Sequence, residues 1–110
     1  MITIKNLRNS KPQCEWQVRV DRTSVLGNPF YMSDESHRDE VCDKYEDYFC
    51  NMVGFDEDAG FHNIKAYRFN EELRRLVAIY KKHGKLELYC WCAPKRCHAE
   101  TIKAYIENLL

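Results

Sequence analysis

The chain has 110 residues, with 17 Lys+Arg against 17 Asp+Glu. That length fits one domain, and the zero net charge argues against a polybasic binder and against direct nucleic-acid binding, whose affinity comes from many phosphate contacts. Apolar residues at 45% and aromatics at 13% suffice for a packed core, which excludes a disordered chain.

No apolar run approaches the roughly 18 residues of a membrane span. Met1-Ile-Thr-Ile-Lys-Asn6 alternates apolar and polar residues and carries no signal-peptide pattern. A reducing, cytoplasmic location is therefore expected, and the six cysteines read as buried thiols, metal ligands or reactive groups rather than disulfides.

Residues 2–5 predict a short strand. Trp16-Gln-Val-Arg-Val20 alternates with period two and predicts a second. A loop follows over 21–33, built around Leu26-Gly-Asn-Pro-Phe30; Pro29 pushes Asn28 away from helical backbone. Ser36 is the expected N-cap of a helix with one apolar face, Val41, Tyr45, Phe49 and Met52, bordered by Cys42 and Val53 and ended by Gly54. Cys42 and Cys50 are expected as buried wall.

Residues 55–62, with Asp56-Glu-Asp58, predict a polar connection. A second helix over about 64–82 should bury Phe69, Leu73, Leu76, Val77 and Tyr80 and stop at Gly84. Its Arg68, Arg74, Arg75, Lys81 and Lys82 fit a solvated face. Lys85 to Trp91 predicts the best strand, with Leu86, Leu88 and Cys90 on one face and Trp91 turned toward core on the other. A last helix from about Cys97 to Leu109 should bury Ile102, Tyr105, Ile106 and Leu109.

The order β-β-α-α-β-α predicts a single α/β domain, 1–110, a small Rossmann-like sandwich with a partly parallel sheet. In such sheets ligands sit outside the carboxyl ends of the strands. Parallel pairing of 16–20 with 85–91 would open the loops 21–32 and 91–96 on one rim.

Cys90-Trp-Cys-Ala-Pro-Lys-Arg-Cys-His98 is the densest chemistry in the chain. Cys90 and Cys92 share a strand face. Cys97 and His98 fall at a helix start, where the dipole and the nearby Lys95 and Arg96 should lower a thiol pKa. Three readings stand. The first is an anion-binding or reactive pocket, with Cys97 as thiolate nucleophile and His98 as acid/base, although adjacent helical residues diverge and make a direct Cys97–His98 ion pair doubtful. The second is a zinc site from Cys90, Cys92, Cys97 and His98, whose softness fits but whose spacing is not that of a usual knuckle. The third is structural, with the cysteines as small core residues. His98-Ala-Glu100 matches half of a zinc-deaminase motif, but the downstream cysteines are missing. No Walker loop, G-x-G-x-x-G or G-x-S-x-G is present, and no cofactor is identified.

Arg22 can clamp a phosphate or carboxylate, or form a surface ion pair. Asn28 can read an amide or base edge, or hold its turn. Arg38 in a first helical turn points to a bound anion or an acidic neighbour such as Asp34.

Together, Leu26-Gly-Asn-Pro-Phe30 and Cys90-x-Cys92-x-Pro94-x-x-Cys97-His98 resemble the uncharacterised family called domain of unknown function 4326, of bacteriophages and bacteria. The resemblance runs from about residue 16 to 106 and includes Arg22, Ser24, Gly27, Arg38 and Tyr45. Its ending is similar to that of domain of unknown function 488, except that Ala99 stands where that family has Arg. The resemblance implies a phage or bacterial protein and transfers no activity.

Two functions are expected from these features. One is a pocket for a phosphate-bearing, nucleotide- or nucleoside-like small molecule, lined by Arg22, Ser24, Gly27, Asn28, Arg38, Cys90, Cys92, Lys95 and Arg96, and an enzyme if Cys97 and His98 react. The other is an interaction module for a host protein, with a structural Cys/His cluster that could hold zinc.

Overall fold

A computed structural model describes residues 1–54 and 64–109. The expected connection over 55–62, with Asp56 to Asp58, lies outside the described residues. Among the described residues, three strands form one sheet: β1 (Ile2–Asn6), β2 (Gln17–Arg19) and β3 (Leu86–Cys90). Three helices accompany them among the described residues: α1 (Arg38–Val53), α2 (Ile64–His83) and α3 (Ala99–Leu109). The fold is mixed α/β, and the sheet is parallel throughout, in the order β1-β3-β2.

The central strand explains its own composition. Leu86, Leu88 and Cys90 enter the main core, and Tyr89 is buried on the opposite side. A strand flanked on both edges by parallel partners has no wet margin, so it reads as an apolar run. Its register pairs Leu88 with Ile4 on one side and Val18 on the other. Ile2, Val18, Leu86, Leu88 and Cys90 thus share the face that the core residues of all three helices cover. Gln17 and Tyr89 turn polar ends to Glu87 on the other face, at 2.9 and 3.2 Å.

The α1 face is as its spacing predicts: Val41, Cys42, Tyr45, Phe49 and Met52 are buried. Cys50, expected in the wall, is exposed. The helix entrance also differs. Asp34, not Ser36, is the cap, and it serves a short 3-10 turn over Glu35–His37, accepting from the Ser36 N–H at 2.8 Å. A carboxylate one turn earlier reaches the unpaired amides first.

In α2 the buried stripe is Ala66, Phe69, Leu73, Leu76 and Ile79, with Val77 and Tyr80 only half-buried. Tyr80 is drawn outward because its hydroxyl accepts from the N-terminal ammonium at 3.0 Å. Gly84 ends this helix at φ +70, a left-handed turn that favours glycine. In α3 the stripe closes at Ile106. Tyr105 is half-buried and Leu109 is 53% exposed, against expectation. Among the described residues, no helix is long and apolar enough to cross a membrane.

Candidate functional site

The strands run in parallel, so β2 and β3 end on the same edge. The chain leaves β2 through Val20 and Asp21 and leaves β3 through Trp91 and Cys92. The two departing segments, with the start of α1, line a half-open cavity of about 470 Å³. Its wall includes Arg22, Asn28, Arg38, Trp91, Cys92 and His98. The Gly-Asn-Pro turn and the leading end of α3 therefore meet across one cleft.

Asp21 organises the rim. Its buried carboxylate accepts from the Arg19 guanidinium, from the Thr23 hydroxyl at 2.6 Å and from the Trp91 indole N–H at 2.9 Å. Burial alone would push this carboxyl up, but the three donors outweigh it and hold it well below the usual range. The bond to Trp91 ties the two strand ends together across 70 residues. Trp91, expected in the core, is instead 49% exposed on the cavity wall. Its polar N–H is committed to Asp21, which leaves the ring at the surface.

The loop after β2 is held by its own polar atoms. Arg22 donates to the carbonyls of Asn28 at 3.2 Å and Phe30 at 2.9 Å, and stacks on Tyr31 at 3.9 Å from its centroid. Asn28 is buried, and its Oδ1 accepts from the Phe30 N–H at 2.9 Å. Its Nδ2 has no hydrogen-bond partner among the described residues. Tyr45 of α1 donates to the Leu26 carbonyl at 2.6 Å, pinning the turn to the helix.

Gly27 and Ser24 do not line this cavity. A Cβ on Gly27 would lie 2.4 Å from the Asp21 carbonyl oxygen, so the glycine is required by close backbone approach. The Ser24 hydroxyl accepts from the Leu26 N–H at 3.1 Å and lies in a separate surface groove.

Cys97 and His98 precede α3, which begins at Ala99. Cys97 is its cap: the Sγ accepts from the Ala99 N–H at 3.3 Å, and the Glu100 carboxylate accepts from the Cys97 N–H at 3.1 Å. This is a capping box with a thiol in place of a hydroxyl. The Cys97-x-x-Glu100 spacing carries that signal in the sequence.

The His98 Nε2–H donates to the Val20 carbonyl, which can only accept. That fixes the tautomer and leaves the Nδ1 lone pair 3.7 Å from Cys97 Sγ. The two adjacent side chains thus do meet, because the backbone at this point is not yet helical. Burial lowers the His98 pKa, with the Val20 bond opposing, so the ring is neutral at pH 7.

The three thiols form one cluster. Cys97 Sγ donates to Cys90 Sγ at 3.1 Å, and Cys92 lines the same cavity. Donation by Cys97 raises its own pKa well above the ordinary thiol value, and its burial adds to this. The expected low-pKa thiol at the helix start is therefore not Cys97. The neighbouring Cys97 thiol lowers the Cys92 pKa to about 5, opposed by burial and assisted by the Arg38 guanidinium. Cys90 falls to about 7 for the first of these reasons.

The cations expected beside Cys97 are engaged elsewhere. Lys95 pairs with Glu35 at 3.2 Å and lies outside this cavity, in a neighbouring groove. Arg96 lines the cavity but bridges Asp39 at 3.1 Å and Asp43 at 2.9 Å, strapping the segment to α1. Arg38 has the acidic neighbour expected of it, but this is Glu35 in place of Asp34, held in two bonds of 2.8 and 2.9 Å. Among the described residues, no three Cys, His, Asp or Glu side chains are arranged to hold a metal ion.

Sequence reasoning missed Asp21, Arg19 and Trp91 as site residues. The available signal was position: all three adjoin the carboxyl ends of strands expected to be parallel. Neither a curated protein nor a solved structure matches the chain. A family model does match, over residues 4–108, and by nearly its whole length the chain belongs to the uncharacterised family described as Domain of unknown function (DUF4326).

Proposed function

We propose that the cavity binds a small phosphate-bearing molecule with a planar group, of the nucleotide or nucleoside class. The observation that carries this reading is the convergence of loop 21–32 and segment 91–98 on one half-open cavity. Its volume of about 470 Å³ lies within the roughly 300–1,000 Å³ of small-molecule pockets. The place is the carboxyl edge of a parallel sheet, where α/β folds bind ligands.

The wall supplies matching chemistry. Among the cavity arginines, Arg22 is the one with no carboxylate partner among the described residues; Arg19, Arg38 and Arg96 are all ion-paired. A guanidinium so placed takes a phosphate by paired N–H donation. Phe30 and Trp91 offer ring faces for a flat base, and the Asn28 amide N–H offers a donor to a base edge. Cys97 and His98, the expected catalytic pair, supply wall and support through the cap and the Val20 bond.

Isothermal titration with a panel of nucleoside monophosphates and with inorganic phosphate tests this. One or more nucleotides should bind with a Kd below about 1 mM, and Arg22→Gln should weaken that at least about tenfold, the scale of one charged hydrogen bond. No binding by any nucleotide would refute the reading.

A further inference from the structure

Asn28 is 8% exposed, on the wall of the cavity, and the direction of its amide is fixed. The Phe30 N–H can only donate, so the amide atom that meets it at 2.9 Å is the oxygen. Turning the amide over would set two N–H groups against each other. The turn that carries it is held as well: Arg22 bonds the Asn28 carbonyl at 3.2 Å, and Tyr45 bonds the Leu26 carbonyl at 2.6 Å. The Asn28 Nδ2 has no hydrogen-bond partner among the described residues. Among those residues, the Tyr48 hydroxyl is the one side-chain polar atom shut away from solvent without a partner. The Asn28 Nδ2 is therefore open, and the space that the residue lines is the cavity.

The neighbouring polar groups restrict what such a donor can meet. The Asp21 carboxylate is taken up by Arg19, Thr23 and Trp91. The His98 Nδ1 faces the Cys97 sulfur at 3.7 Å. Arg19, Arg22, Arg38 and Arg96 on the wall are donors only. The cavity thus presents N–H groups whose complement is an acceptor, and Asn28 supplies an uncharged, buried one.

We propose that Asn28 makes the cavity selective for bases with an oxo group at the edge it meets, against bases with an amino group there. This rests on the nucleotide reading above and deepens it. An oxo group accepts from Nδ2. An amino group in the same position sets donor against donor and leaves both N–H groups unpaired away from water, which is the larger cost. Paired reading of adenine uses both the oxygen and the nitrogen of an amide, and here the oxygen is turned to the Phe30 N–H. Uracil differs from cytosine, and hypoxanthine from adenine, by this exchange of oxo for amino and the ring-nitrogen proton that accompanies it. Within each pair the oxo member is the ligand.

Isothermal titration of the wild-type protein with the ribonucleoside monophosphates of uracil, cytosine, hypoxanthine and adenine tests this. Sugar and phosphate are the same throughout, so the ratio of Kd values within a pair isolates the base. In a pair that binds, the oxo member should bind at least about tenfold tighter than the amino member. In Asn28→Asp one carboxylate oxygen still accepts from the Phe30 N–H, while the other replaces the donor with an acceptor. The ratio should then fall to about one or invert; the added charge repels the phosphate of both members alike and cancels. Wild-type ratios within about threefold of one, or a tighter amino member, overturn the proposal and leave the nucleotide reading standing. An Asn28→Asp protein that keeps the wild-type preference overturns it too. No binding by any of the four overturns both. The wild-type ratios decide the matter even if the variant fails to fold.

Discussion

Gly27→Ala should collapse the rim of the cavity. The new Cβ would sit 2.4 Å from the Asp21 carbonyl oxygen and 2.7 Å from Arg22 Cα. Carbon atoms pack at about 3.5 Å or more, so the turn must withdraw by roughly 0.8 Å from Arg22 alone. Both obstacles are backbone atoms at the end of β2, and no change of rotamer relieves them. Overpacking of this kind costs up to about 3 kcal/mol. At about 4 °C per kcal/mol for a domain of this size, Tm falls by about 12 °C.

Gly84→Ala makes the comparison. That residue has nothing within 4 Å of its added Cβ but stands at φ +70. Its cost is backbone strain of about 1 kcal/mol, or about 4 °C, and asparagine there should recover part of it. Thermal unfolding followed by circular dichroism measures both. The Gly27 variant should also lose nucleotide binding, since the same displacement carries Arg22 and Asn28 away, while the Gly84 variant should keep it. A Gly27→Ala protein melting within 2–3 °C of the parent (~1 kcal/mol or less) would refute the close-approach reasoning.

Tyr45→Phe removes the donor to the buried Leu26 carbonyl and should cost about 1–3 kcal/mol in chemical denaturation, with amide exchange accelerated in loop 21–30. Glu100→Ala opens the capping box at α3 and should cost about 1 kcal/mol, whereas Glu100→Gln should retain most of the cap. Asp21 has a folded pKa below its ordinary 3.8, so its contribution is fully present above that pH and is lost as pH falls through the folded value. Asp21→Asn should therefore melt below the parent at pH 7, with the gap shrinking under acid, as read from urea midpoints between pH 7 and 2. Iodoacetamide labelling of Cys92 should follow a thiolate fraction half-complete near pH 5. Arg38→Met should move that midpoint upward.

The elements of this protein are written in local periodicity, and local spacing is enough to find them. Val41, Tyr45, Phe49 and Met52 predict the α1 face because a helix returns to one side every three to four residues. The apolar run at β3 announces a strand without a wet edge. The close pairing of loop 21–32 with segment 91–98 was legible as well, since parallel strands must release their loops on one rim.

Which polar group answers which was settled by distance in space, and neighbours along the chain carry no trace of it. Asp21 meets Trp91, and Arg96 meets Asp39 and Asp43, only after the sheet and α1 have packed. That packing puts the lowered thiol pKa on Cys92 and not on the helix cap. Proximity to Lys95 and Arg96 in sequence suggested a cationic setting for Cys97, but those cations turn to carboxylates on α1 and its preceding turn. An ionisable group responds to the charges and donors within a few ångströms of it, and in a folded chain most of those come from residues far away in order.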